Sequence, residues 1–387
     1  MTSVPMSRDN AFDFLRLLAA LMVLIHHSVI HLDAEFLWHS QTAGPWFHGG
    51  VSLFFILSGY LVVRSAERCH DDGRPWWEFY RNRALRIIPA IYVYGLVSVI
   101  VLLGLGVISL GWFVTAESWA FILSYLVLAP VFNPGALNDF GIGVINGSLW
   151  TIPVEVSFYM VMPLIVIMAR RSGWKAASGA LVLISVAAVA VYGLTEGPAA
   201  EPLLLKLFGV TFLPFLWFFA IGIIWSRLWH RVVHSGWIAL TCVVAYFIVI
   251  NIPHDVGEGG SAILTALAAV PLSYAALWFG HNPPAFFISL PRMIGDLSFG
   301  TYVWHMFVVN LLVYLGAAFW PVNGTVLVCG VVVVSMVLAA LSWWFVEKPA
   351  LRLKHYSMAG GSLKHEKKSQ RQADRSAGRM DRVDRRS

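Results

Sequence analysis

The polarity of this chain changes in long blocks rather than residue by residue. Apolar runs near 12–31, 50–64, 87–108, 148–169, 176–194, 207–226, 236–253, 261–279, 296–315 and 323–346 are each about long enough to cross a bilayer as a helix, the second and eighth least comfortably. The pattern predicts an all-α polytopic membrane protein, a bundle of about ten transmembrane helices. Segments 64–86, 170–175, 227–235 and the C-terminal tail carry Lys and Arg, whereas 32–50, 109–147, 195–205, 254–260 and 316–322 carry none. Alternating the two sets places both termini in the cytoplasm, with Lys206 the one awkward residue. A further apolar run, WAFILSYLVLAPVF at 119–132, would invert every later loop if it crossed, so a re-entrant or interfacial segment is expected there.

Composition agrees with this class: of 387 residues 58% are hydrophobic and only 12% charged. The net charge of +6 belongs to the tail, since residues 352–387 hold eleven Lys/Arg against four Asp/Glu and the rest of the chain sums to −1. That tail has almost nothing to bury and no interleaved aromatics, which predicts a disordered cytoplasmic anchor attracted to anionic lipid and argues against a nucleic-acid partner. The expected organisation is a cytoplasmic N-terminus over 1–11, a membrane domain over 12–350 and the tail over 351–387. Cys69, Cys242 and Cys329 are isolated and read as packing residues. The first apolar run shows no cleavage site and is expected to be retained.

The first helix contains RLLAALMVLIHHS, residues 16–28. Eleven residues at about 100° each bring His27 to within roughly 20° of Arg16, about 16 Å further along the axis. His26 is turned away by about 80° and is assigned to packing. Asp13, one turn before Arg16, lies near the shared face. Ionisable side chains inside a span face the bundle or a water-filled cavity, so Asp13, Arg16 and His27 form an inward polar stripe. Only His27 and His31 of the local histidines share a face, and no metal site is expected.

Further polar groups interrupt later spans. FYRNRALRIIPAIY sets Arg81, Arg83 and Arg86 at the mouth of the third helix, with Arg83 and Arg86 three apart on one face, an arrangement suited to phosphate. NGSLWTIPVEVSFYMVMP carries Glu155 about two turns into the fourth crossing, with Tyr159 at i+4; a carboxyl there needs a partner or a proton. GDLSFGTYVWHMFVVN places His305 mid-span, three residues after Tyr302. GGVSLFFILSGYLVVRS supplies small residues for close helix approach, with Ser58 too central for an exposed nucleophile. No nucleophile elbow, phosphate-binding glycine loop or H-E-x-x-H motif is present. These residues alone admit three readings: a membrane enzyme, a multi-pass transporter of a lipid-linked sugar or organic ion with a His/Glu/Arg relay, or a glycan-assembly protein that binds without catalysing. The basic mouth favours the first, and no inverted repeat is evident.

Over roughly residues 10–353 the sequence resembles the acyltransferase-3 family of bacterial membrane acyltransferases, which O-acylate envelope and exported glycans. The family's first-helix signature, Arg, ten residues, His, is met by Arg16 and His27. FFILSGYL, RNRALRIIPAIY, SLWTIPVEVSFY, SFGTYVWH and WWFVEKPALR resemble its later motifs, in order. The resemblance implies a bundle of ten helices in the bacterial inner membrane and an acyl-CoA co-substrate, usually acetyl-CoA, with no permanently bound cofactor. It assigns Arg83 and Arg86 to donor handling. Two departures stand out: Val156 occupies a position that is often acidic in the family, and the basic tail follows where some members carry an extra domain. Transfer is then expected to be completed by the bundle or with a separate partner. The mechanism expected is donor phosphates at Arg83 and Arg86, His27 as general base on a sugar hydroxyl, Glu155 orienting or charge-balancing it, and an electrostatic role for Arg16. Asp13, Tyr159, Tyr302 and His305 support substrate binding.

Overall fold

The computed structural model describes residues 9–34, 36, 47, 49–195, 207–252 and 257–354. The tail beyond Lys354 and the N-terminal residues before Asp9 lie outside them, as does Lys206. The described chain is helical: α1 Phe12–His31, α2 Gly49–Asp71, α3 Trp76–Gly104, α4 Ala116–Leu126, α5 Thr151–Ser172 and α6 Trp174–Thr195. There follow α7 Leu216–Leu228, α8 Gly236–Ile250, α9 Gly257–His281, α10 Ala285–Ile294, α11 Ser298–Tyr314 and α12 Gly324–Ser342. A π-helical turn, Trp343–Glu347, carries α12 on toward Lys354.

Among the described residues seven helices are long and apolar enough to cross a membrane, and α10 with α11, bent by 69° at their break, make an eighth. The expected ten is not reached because α7 has 13 residues and α8 has 15, short of the roughly 20 that a perpendicular crossing needs. The region at 119–132 forms α4, whose 11 residues span roughly 16 Å and cannot cross. It packs Phe121 and Tyr125 inward, Tyr94 lying beside Tyr125, while Trp119, Leu123 and Leu126 stay exposed. The largest departure from expectation is at α3, which begins at Trp76 behind Pro75 and runs through Pro89 without breaking. Arg83 and Arg86 therefore stand inside a helix, about two turns and more from its start, rather than in a mouth ahead of it.

Lipid offers no hydrophobic contrast between helices, so close packing has to hold them. The tightest crossing joins α2 and α7: a Cβ at Gly59 would lie 2.2 Å from the Phe219 carbonyl oxygen, and one at Gly222 would lie 2.1 Å from that of Ile56. At the arginine-rich end the buried Glu67 of α2 is paired with Arg170 of α5 at 3.4 Å and with Arg227 of α7, whose guanidinium stacks 3.8 Å over the Trp174 ring of α6. One carboxylate thus gathers four helices.

At the opposite end, the loop between α4 and α5 is clamped to α11. Asn310 accepts the Ile142 N–H at 2.9 Å and donates to the Val144 and Ile145 carbonyls at 2.9 and 3.1 Å. Asn146 donates to the Val303 carbonyl at 2.8 Å and receives the Ser148 N–H, starting the turn that leads into α5. These contacts set the height of α5 against α11, and with it the relation of Glu155 to Tyr302 and His305. Because the α2–α7 crossing is backbone against backbone, Gly59→Ala is expected to lower stability by about 1–3 kcal/mol or more. Thermal unfolding in detergent checks this, and an unchanged midpoint contradicts it.

Candidate active site

The helical arithmetic for α1 puts His27 on the inward stripe, and the structure sets it, half-buried, against α11. His27 Nδ1 lies 3.0 Å from Nε2 of His305, a residue with no solvent exposure. His305 Nδ1–H donates to the Tyr302 carbonyl at 2.8 Å, one turn back along α11. The Tyr302 hydroxyl donates to the Ser148 carbonyl and accepts from Thr151 Oγ1, both at 2.6 Å. Two helices and the loop ahead of α5 are thereby joined around one histidine pair.

Tyr302 and Thr151 also line a partly open cavity of about 40 Å³ between α2, α5 and α11. Phe54, Phe55, Ile152 and Phe299 make its walls; Ser58 and Glu155 complete its polar lining. The space holds roughly two or three waters. Glu155 Oε1 accepts from Ser58 Oγ at 3.3 Å and from the Tyr159 hydroxyl, its i+4 neighbour. Beyond Tyr159 stands Arg83, its guanidinium 5.5 Å from the Tyr159 ring centre and 5.6 Å from that of Phe79. The Arg83 Nε is buried with no hydrogen-bond partner among the described residues. The rest of the guanidinium is partly exposed between the two aromatic rings.

Arg86, one turn along α3, is differently placed. Its guanidinium meets the Asp296 carboxylate at 2.7 Å, and Asp296 also receives the Ser298 hydroxyl at 2.6 Å at the elbow ahead of α11. The two arginines share a face as the spacing predicts, yet among the described residues only Arg86 is paired with a carboxylate. Arg16 lies within electrostatic reach of Arg83, Tyr159 and Asp296, and its described ion pair is to Asp13 at 3.5 Å. Asp13 is mostly exposed and belongs to the rim of the stripe rather than its interior.

The predicted residues therefore gather into two groups joined by the cavity: Arg16, Arg83, Tyr159 and Glu155 toward the arginine-rich end, and His27, His305 and Tyr302 beyond it. The expected pairing of Glu155 with His27 is replaced. The described hydrogen bonds of Glu155 run to Ser58 and Tyr159, and an imidazole stands where a carboxylate was expected beside His27 Nδ1. Asp296, Ser58 and Asn310 were not anticipated as site-forming groups. GDLS carries a helix-capping signal that locates Asp296, but no sequence pattern says that an arginine two hundred residues earlier will pair with it. Among the described residues no cluster of three His, Cys, Asp or Glu is arranged to hold a metal ion.

A family model described as an acyltransferase domain matches residues 9–344, which includes every residue of this site. The chain belongs to the acyltransferase-3 family. It is 30% identical over 376 residues to nodulation protein 10 of Rhizobium leguminosarum bv. viciae, covering 89% of this chain and 94% of that protein. To the O-acetyl transferase of Shigella phage Sf6 it is 27% identical over 360 residues, covering 89% and 96%. To the peptidoglycan O-acetyltransferase OatA of Listeria monocytogenes it is 23% identical over 372 residues, covering 88% of this chain but only 55% of the relative. No solved structure matches. As a member of this family the protein is a membrane acyltransferase, and the helical bundle with its buried polar groups is what the family's chemistry has to work with.

The division between the two arginines is testable on stability alone. Arg86→Ala strands a largely buried carboxylate and is expected to cost about 3 kcal/mol. Arg83→Ala removes a charge that no carboxylate answers directly, so it should leave the thermal midpoint little changed or raised. Equal losses for the two variants in thermal unfolding would contradict the assignment.

Proposed function

We propose that the protein transfers an acyl group, acetyl in the simplest case, from acyl-CoA to a hydroxyl of an envelope or exported glycan. The observation that carries this reading is the polar seam: Arg83, Tyr159, Glu155, the cavity, Tyr302, His305 and His27 follow one another across an otherwise apolar bundle. The names of the relatives support an acetyl group and a glycan acceptor, including the O-acetyl transferase of phage Sf6, OatA, and the exopolysaccharide production protein ExoZ of Rhizobium meliloti.

In this reading the protein lies in the bacterial cytoplasmic membrane with both termini inside. Ten crossings result when α7 and α8 are short spans and α10–α11 a broken one, with α4 as the re-entrant or interfacial piece. Membrane lipid surrounds the bundle, and the basic tail meets anionic headgroups. The donor approaches from the cytoplasm and sets a phosphate against Arg83, while Arg16 adds positive potential from α1. The thioester reaches the cavity. Glu155 holds Tyr159 against Arg83. The acceptor hydroxyl comes from the outer side and gives its proton to His27; its oxygen forms the new ester bond as the carbon–sulfur bond breaks. The thiolate then takes the proton and leaves as CoA.

Mass spectrometry of glycans from a deletion strain complemented with variants tests the whole reading. Deletion is expected to remove an acyl substituent. His27→Ala should fail to restore it, with activity reduced by about 10²–10⁴-fold, whereas His26→Ala should restore it. An unchanged acyl content on deletion would overturn the enzymatic reading. Acetyl-CoA binding to purified protein tests the donor separately: Arg83→Ala should weaken it by tenfold or more, and unaltered binding would refute the site.

A further inference from the structure

His27 and His305 meet edge to edge. Their planes differ by 8° and their centroids lie 5.2 Å apart, which is the 3.0 Å Nδ1···Nε2 contact lengthened by the two ring radii. The two nitrogens therefore point at each other in nearly one plane, the arrangement of an in-line N–H···N hydrogen bond rather than of stacked faces. One proton lies between them. The other side of His305 decides which ring owns it.

Nδ1 of His305 faces a backbone carbonyl, which only accepts, so Nδ1 carries a hydrogen. A second hydrogen on Nε2 would make the ring a cation at a fully buried position, where its described partners are the Tyr302 and Thr301 backbone and another imidazole and none is a carboxylate. The neutral ring presents a lone pair at Nε2 instead. His27 Nδ1 must then be the donor, and the lone pair of neutral His27 falls on Nε2.

We infer that His305 is a positioning residue that fixes His27 in the Nδ1–H tautomer, so that Nε2 of His27 is the atom that removes the acceptor's proton; the inference rests on His27 being the base. His305 takes the place that a carboxylate holds in a Ser-His-Asp triad, and it does so without a charge. It sets the tautomer and the ring plane of His27, and no proton passes through it. During transfer the acceptor's proton moves to His27 Nε2 and then to the departing thiolate, while the Nδ1–H bond to His305 persists throughout. The support is itself anchored, because the Tyr302 residue that supplies the carbonyl has its hydroxyl tied to Ser148 and Thr151. A loop that grips α11 through Asn146 and Asn310 thus acts at a distance on the orientation of the base.

The test uses the full chain in lipid nanodiscs with acetyl-CoA as donor and glycan from the deletion strain as acceptor, together with His305→Gln and His305→Leu. Nitrogen-15 spectra of labelled histidine, assigned by the loss of a signal in His27→Ala, read the tautomer without requiring turnover. In the unsubstituted protein His27 should show a protonated Nδ1 and a bare Nε2. The Gln side chain still offers an oxygen to that N–H, so this variant should keep kcat within about tenfold of the original. The Leu variant should lose the tautomer preference and slow kcat by about 100-fold or more, with acetyl-CoA binding unaltered. A His27 protonated on Nε2, or a Leu variant with undiminished kcat, would overturn the role of His305. Undiminished transfer by His27→Ala would instead overturn the base itself, and the two failures are told apart by which variant retains activity and by the spectrum.

Discussion

A charge buried in an apolar bundle has to be answered by another protein group, because the surrounding lipid can neither hydrate nor screen it. That requirement shapes this molecule more than any single hydrophobic contact. Glu67 gathers Arg170 and Arg227 and with them α2, α5, α6 and α7. Asp296 gathers Arg86 and the first turn of α11, which sets the level of Tyr302 and His305. Glu155 gathers Ser58 and Tyr159 at the cavity. Once these obligations are met, the helices have little freedom left in height or rotation. Arg83 differs in having no carboxylate partner among the described residues; two aromatic rings lie beside it instead. The proposed function begins at that incomplete point.

The same rule explains how much of the molecule could be read from its sequence. Long apolar runs interrupted by basic turns identify a polytopic helical protein, and the spacing of Arg16 and His27 separates two adjacent histidines by arithmetic alone. The contact of His27 with α11 agrees with that arithmetic. Boundaries were less legible. Hydropathy counts only the apolar part of α3, whereas the helix itself starts at Trp76 because Pro75 offers a natural beginning and nothing before Pro89 opposes helical geometry. Arginines that look peripheral in a hydropathy profile are therefore interior residues. Conversely, α7 and α8 are apolar enough to suggest full spans but end after 13 and 15 residues.

Partners were the least legible level. Glu155 in a membrane segment demands a partner or a proton, and the sequence says as much, but it does not say which helix supplies the partner. Pairing across the bundle depends on helix rotation, which follows from the backbone contact of Gly59 and Gly222 and from the asparagine clamps on α11. None of these has a local sequence signature that names its partner. The triad analogy suggested a carboxylate for His27; the fold supplies a neutral ring because α1 lies against α11 rather than against the carboxylate of α5.

The account's central claim is that one polar seam conducts an acyl group from the arginine-rich end of the bundle to an acceptor at the histidine end. Proteoliposomes of defined orientation, supplied with isotope-labelled acetyl-CoA on one face and glycan acceptor on the other, measure this directly. The account predicts labelled glycan only when acetyl-CoA is on the side of the arginine-rich turns and the acceptor is opposite. Label that appears with donor and acceptor on the same face, or with the donor confined to the histidine side, would contradict it.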